Sequence, residues 1–98
     1  MKITFEPAAR DELDHIFGWI AKDNKRAADE LIVRIEEKVM RLATPELAHM
    51  GRPGLIEDTR ELIEWPYIIV YKIHDDRDEI VIVSIVHGAR NREARDGI

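Results

Sequence analysis

The side chains of this 98-residue chain best suited to chemistry on a phosphate, or to gripping an acidic surface, are arginines and a histidine in its second half. Arg52 lies in a Pro/Gly-rich stretch, Arg60 opens a β-like run, and His87 closes the last such run, ahead of Arg90, Arg92 and Arg95. A guanidinium binds phosphate or carboxylate through two parallel N–H bonds, and an imidazole moves a proton near neutral pH. If the elements carrying them meet, Arg52, Arg60, His87 and Arg90 form a local cationic cluster. The competing reading is a set of surface ion pairs with Glu57, Asp58, Glu61, Glu93 and Asp96, which is ordinary on a protein surface. Other chemistries lack their parts. There is no cysteine, hence no disulfide, thiolate nucleophile or cysteine zinc site. His15, His49, His74 and His87 include no pair four residues apart, and no glycine-rich phosphate loop occurs. Asp75 to Glu79 resembles a piece of a calcium loop without its central glycine or final glutamate, and reads as a hairpin turn. No cofactor or metal is expected.

The elements that position these residues must come from one domain, residues 1–98, because the length allows little else. At 45% hydrophobic the chain can bury a modest core. No apolar run approaches the roughly 20 residues of a membrane helix, and Met1 to Glu6 lacks the apolar region of a signal peptide. A cytoplasmic protein is expected. The formal charge of −5 disfavours a dedicated nucleic-acid binder, which is usually basic.

Lys2 to Phe5 reads as a short strand and Pro7 as the first turn of a helix. Ala9, Leu13, Ile16, Phe17 and Ile20 then recur at helical spacing for about 15 residues. Asp11, Glu12 and Asp14 sit near the start of that helix, where its dipole favours acids. Asp23-Asn24 offers caps for a second helix, whose stripe is Ala28, Leu31, Ile32, Ile35, Val39 and Leu42, with Pro45 as its stop. Thr44 to Asp58 reads as a loop. Arg60–Trp65, Tyr67–His74 and Glu79–His87 read as three strands, the last two a hairpin, with Pro66 as a tight link or bulge. The expected class is α+β, a helix hairpin on a small, mostly antiparallel sheet.

Two features do not fit a closed core. Strict alternation sends Ile80, Ile82 and Val86 to one face of the last strand and Val81, Val83 and Ile85 to the other, so both faces are apolar. Two helices cover one face; a loop, the C-terminal tail or another chain must cover the second. Val33 and Met40 lie one heptad apart, opposite the main stripe of the second helix, and Trp19 lies at the margin of the first. They are either scattered surface hydrophobes or part of a partner-binding stripe.

Phe5-Glu6-Pro7-Ala8-Ala9, Asp11 to Ile16, and Trp19 to Asn24 followed by Ala27-Ala28 resemble the opening of ParE-type toxins. Met50-Gly51-Arg52-Pro53-Gly54 and Asp58 to Ile63 look like that family's central signature. Tyr67 to Tyr71 and Val86-His87-Gly88-Ala89-Arg90 look like its strand and C-terminal signatures. Lys25, where a proline is common, and Trp65-Pro66 depart from the pattern.

The resemblance implies the RelE/ParE fold, strand–helix–helix–three strands, and a toxin of a type II toxin–antitoxin module. It implies a cognate ParD-like antitoxin in a toxin–antitoxin hetero-oligomer. ParE-like members are associated with poisoning DNA gyrase, and RelE-like members with ribosome-dependent mRNA cleavage; the fold alone does not decide between them. Tyr67 and Tyr71 lie mid-sequence rather than in the tail, and the charge of −5 opposes docking on ribosomal RNA. The gyrase reading is therefore preferred, with no catalysis by the toxin, no direct DNA binding and no membrane. The endonuclease and a binding-only, inactive homologue are the alternatives. Arg52, Arg60, His87 and Arg90 are the expected target contacts, and the catalytic candidates if the protein is an RNase. Trp19, Val33, Met40, Val81, Val83 and Ile85 are the expected antitoxin contacts.

Overall fold

The structure, a computed structural model, describes residues 1–88. In chain order the elements are β1 (Lys2–Phe5), α1 (Pro7–Ala21), α2 (Lys25–Arg41), β2 (Arg52–Pro53), β3 (Arg60–Glu64), β4 (Tyr67–His74) and β5 (Glu79–His87). They form one five-stranded sheet in the order β1-β5-β4-β3-β2. β1 runs parallel to β5, and the other neighbours are antiparallel. The α+β class and the helix hairpin are as the periodicity predicts. The additional strand, β2, falls within the expected loop, because a two-residue strand is too short to show alternation.

The helix ends follow local chemistry. Asn24 caps α2, its side-chain oxygen accepting from the Ala27 N–H at 3.0 Å, a contact that satisfies one of the helix's orphan donors. Pro7 opens α1 as expected. The dipole reading of Asp11, Glu12 and Asp14 needs correction: the first turn of α1 holds no acid. All three lie beyond it, where the field of the terminus has faded. Glu12 has a different task. Its carboxylate accepts from the Ser84 hydroxyl at 3.2 and 3.3 Å, joining α1 to β5. At the opposite side of the helix layer Arg34 and Lys38 of α2 pair with Glu64 of β3.

Both helices pack on one side of the sheet. Leu13 of α1 and Leu31, Ile35 and Val39 of α2 meet Leu62, Ile69, Tyr71, Ile80, Ile82 and Ile85 there. The presence of Ile85 in this core corrects the alternation read from the sequence. The β4–β5 register shifts between Val70 and Tyr71, which face Ser84 and Ile82, leaving Val83 as the extra residue. One inserted residue reverses the side-chain sense beyond it, so Ile85 joins Ile80 and Ile82 and is 2% exposed. On the side away from the helices Ile68 and Val81 are also buried, while Val70, Val83 and Val86 are half-buried. Gly88 reaches this side against Ile68, where a Cβ would lie 3.1 Å from the isoleucine Cδ1.

Candidate functional site

The sequence-predicted cations do not gather into one cluster. Arg60 and His87 lie opposite Tyr71 and Tyr67 of β4, respectively. Four residues of β4, about 13 Å at 3.3 Å per residue, and two strand spacings separate them. Arg90 lies outside the described residues, as do Arg92 and Arg95. His87 is exposed, with its ring edge-on to Tyr67 at a centroid distance of 5.6 Å.

Arg52 and Arg60 are neighbours in the β2–β3 pair but do different things. Arg52 pairs with the buried Glu61, Nε to Oε1 at 3.0 Å, and remains half-exposed. Arg60 points its guanidinium at the backbone of the preceding loop. Its Nε donates to the Gly51 carbonyl at 3.0 Å, and Nη2 donates to the carbonyls of Gly51 and His49 at 2.6 and 3.0 Å. Its Nε and Nη2 donors are thus engaged in holding the chain, which no count of charges reveals.

A second strap meets the same loop from below. The fully buried Tyr71 hydroxyl accepts from the Gly51 N–H at 3.1 Å and donates to the Ala48 carbonyl at 2.8 Å. Gly51 is required by this closeness: a Cβ there would lie 2.6 Å from the Tyr71 hydroxyl and 2.7 Å from the Glu61 carbonyl oxygen. Beyond β2 the hairpin tip is closed by Gly54 N–H to the Thr59 carbonyl at 2.8 Å, with Asp58 in the left-handed region at φ 65°. The segment so held exposes Leu47, Met50, Leu55 and Ile56. Sequence reasoning missed these four as a group, because their spacing follows neither a helix nor a strand. The density of glycine and proline around them was the available signal.

A separate apolar strip runs along the outside of α2. Val33 and Met40, 50% and 59% exposed, line a shallow groove with Glu36, Glu37 and Arg41. Trp19 is more exposed still but lies outside this groove, near the α1–α2 turn, with the Lys22 ammonium 5.5 Å from its ring centre. Of the sheet residues expected on a partner surface, Ile85 is in the helix-side core and Val81 is buried; Val83 remains half-buried. The expected free sheet face therefore reduces to Val83 among these three.

Among the described residues no group of three or more His, Asp or Glu could hold a metal ion, and no helix is long and apolar enough to cross a membrane. The family model for the ParE toxin of the type II toxin–antitoxin system parDE matches residues 3–92. The chain belongs to the ParE toxin family. It is 39% identical over 88 residues to a Sinorhizobium fredii protein named Putative toxin Y4kP, covering 88% of this chain and 86% of that one. Its fold is similar to a chain of the chromosomal ParDE system from P. aeruginosa, with a TM-score of 0.74 at 23% identity over 89% of this chain and 95% of the other. It is also similar to isolated E. coli RelE, with a TM-score of 0.60 at 11% identity over 99% and 98% of the two chains. A chain of the RelBE2 toxin–antitoxin complex from Mycobacterium tuberculosis gives a TM-score of 0.60 at 22% identity over 88% and 95%. By the family match, the protein is a ParE-family toxin of the type II toxin–antitoxin class.

Proposed function

We propose that this ParE-family toxin inhibits DNA gyrase without cutting nucleic acid itself, and that a ParD-like antitoxin neutralises it. The observation that carries the reading is the family match over residues 3–92. Two features of the molecule support it. The guanidinium of Arg60, a candidate for binding a scissile phosphate, commits its Nε and Nη2 to the carbonyls of His49 and Gly51. Both tyrosines are buried, Tyr71 with its hydroxyl engaged on the loop, so neither stands ready as a general acid or base at a bound RNA. The formal charge of −5 adds a penalty for a ribosomal RNA target. Arg52 and His87, together with Arg90, are the cationic positions to test for target contact.

The antitoxin surface is assigned to the outer strip of α2, Val33 and Met40, with Trp19 and Val83 as outlying contacts. Val81 and Ile85 are left out because this chain buries them itself. Apolar side chains one heptad apart beside Glu36 and Glu37 suit an amphipathic helix with basic flanks.

The decisive experiment runs purified toxin in gyrase supercoiling and DNA-cleavage assays beside translation-dependent mRNA cleavage. Inhibited supercoiling with intact mRNA is expected. Cleaved mRNA with unaffected gyrase overturns the reading in favour of an endonuclease. Inactivity in both assays, with no growth arrest on expression, identifies a binding-only homologue.

A further inference from the structure

We propose that Glu61 is a positioning residue: it aims the Arg52 guanidinium so that both Nη groups grip one carboxylate on the toxin's protein target. The inference rests on the preceding reading that the target is a protein, and deepens it by naming what Arg52 recognises. Arg52 is fixed before it meets a partner. On one side Gly51 is tied by its N–H to the Tyr71 hydroxyl and by its carbonyl to the Arg60 fork. On the other, the Gly54 N–H donates to the Thr59 carbonyl at 2.8 Å. At the side chain, Nε donates to Glu61 Oε1 at 3.0 Å; the Glu61 side chain is 4% exposed and that of Arg52 50%. Among the described residues none bonds Nη1 or Nη2 of Arg52. A planar fork held in advance loses less freedom for each bond it forms.

Stability does not account for this pair. Taking a carboxylate out of water is costly, and an apolar residue of similar size in place of a buried ion pair often leaves a fold as stable or more so. The partner of Glu61 is not buried with it but stands half in solvent. A buried acid under a half-exposed cation fixes the direction of that cation, which is what a two-point contact needs.

The same pairing selects the occupant. A nucleic-acid backbone is held by several cations whose charge displaces counterions. Here the charge of Arg52 is matched by Glu61 at 3.0 Å, and Arg60 commits Nε and Nη2 to carbonyls. What remains is geometry more than field, and it suits a single carboxylate in an interface, where arginine is a frequent anchor. Position separates this contact from the antitoxin strip. Glu61 lies opposite Arg52 and Val70, and the neighbours of Val70, Ile69 and Tyr71, belong to the helix-side core. Arg52 and Glu61 are therefore on the face away from the helices, whereas Val33 and Met40 are on the outside of the helix layer.

The test compares Arg52→Gln, Arg52→Lys, Glu61→Met and Glu61→Gln, and each Glu61 change combined with Arg52→Gln, in the full chain. Gyrase inhibition, growth arrest on induction, affinity for the purified cognate antitoxin, self-association and thermal melting are measured. Arg52→Gln and Arg52→Lys should each lose about tenfold in inhibition, since lysine keeps the charge but not the fork. Glu61→Met should lose about as much, and Glu61→Gln, which keeps an acceptor oxygen for Nε, about threefold. Neither Glu61 change should add to the loss of Arg52→Gln, because Glu61 acts through Arg52; the Glu61→Gln cycle carries this arm if Glu61→Met does not fold. Antitoxin affinity should stay within about twofold of wild type. A fully active Arg52→Lys overturns the two-point grip. Losses that add in the double variants, or that follow the melting temperature, overturn the positioning role. A parallel loss of antitoxin affinity, or of self-association, gives the contact to the antitoxin or to a second copy and overturns the inference. A photo-crosslinker in place of Pro53 should join the toxin to a polypeptide of the target; crosslinking to DNA or RNA also overturns it. Wild-type toxin that arrests growth but leaves gyrase untouched removes the gyrase reading alone, and growth arrest then scores the same variants.

Discussion

The outer strip of α2 and the segment from Leu47 to Ile56 both expose large apolar side chains, and they are held in place by opposite means. On α2 the backbone satisfies its own hydrogen bonds, so Val33 and Met40 ride on a helix fixed by the stripe on its other side. In the Leu47–Ile56 segment the backbone makes little repetitive structure, and from Ala48 to Gly51 its polar groups are met in part by side chains from β3 and β4. A helical face tolerates substitution because its scaffold does not depend on it. A strapped loop inherits the fragility of each strap.

That contrast can be broken at several points. The largest effect is expected at Gly51. Gly51→Ala forces a methyl group against the Tyr71 hydroxyl and the Glu61 carbonyl and should cost about 2–3 kcal/mol in denaturant unfolding. A variant as stable as wild type would show that the strap is loose. Tyr71→Phe comes next. It strands the Gly51 N–H and the Ala48 carbonyl, at a cost of about 1–3 kcal/mol in the same unfolding measurement. On the α2 side, Val33→Asp and Met40→Asp should leave stability within about 0.5 kcal/mol while weakening the antitoxin in a titration; unchanged affinity removes those residues from its surface. The smallest effect lies at the sheet edge. The Thr4 hydroxyl, 2.7 Å from Glu79, holds that carboxylate's pKa below its ordinary value of 4.5, with Arg77 assisting. A depressed carboxylate stabilises the fold at neutral pH and loses that contribution as pH falls through its folded pKa. Thr4→Val should therefore destabilise the protein mildly at neutral pH and flatten the acid limb of its stability curve below about pH 4.5, and it should not touch either surface.

The two regions were also unequally legible. The stripe of α2, its Asn24 cap and the exposure of Val33 and Met40 follow from period and local chemistry, so the helix hairpin could be read in advance. The family-like spacing of Gly51, Arg60 and the strand residues pointed to the right fold. What Arg60 does was hidden, since an arginine bound to carbonyls 9 and 11 residues away looks the same in sequence as one facing solvent. The extra residue at Val83 was hidden as well. A bulge leaves no mark in the stretch from Ile80 to Val86, yet it moves Ile85 from the far face to the core. Periodicity records what repeats, and both surprises come from places where the chain stops repeating.

The parallel pairing of β1 with β5 has a consequence for how the molecule comes into being. Lys2 lies beside Glu79, so the sheet is sealed by a closure spanning nearly the whole described chain. Such long-range pairing is slow to form. During synthesis β1 waits without a sheet neighbour until β5 has been made. Each toxin molecule therefore begins life incomplete, and a chain cut short before Glu79 leaves its opening strand without a neighbour.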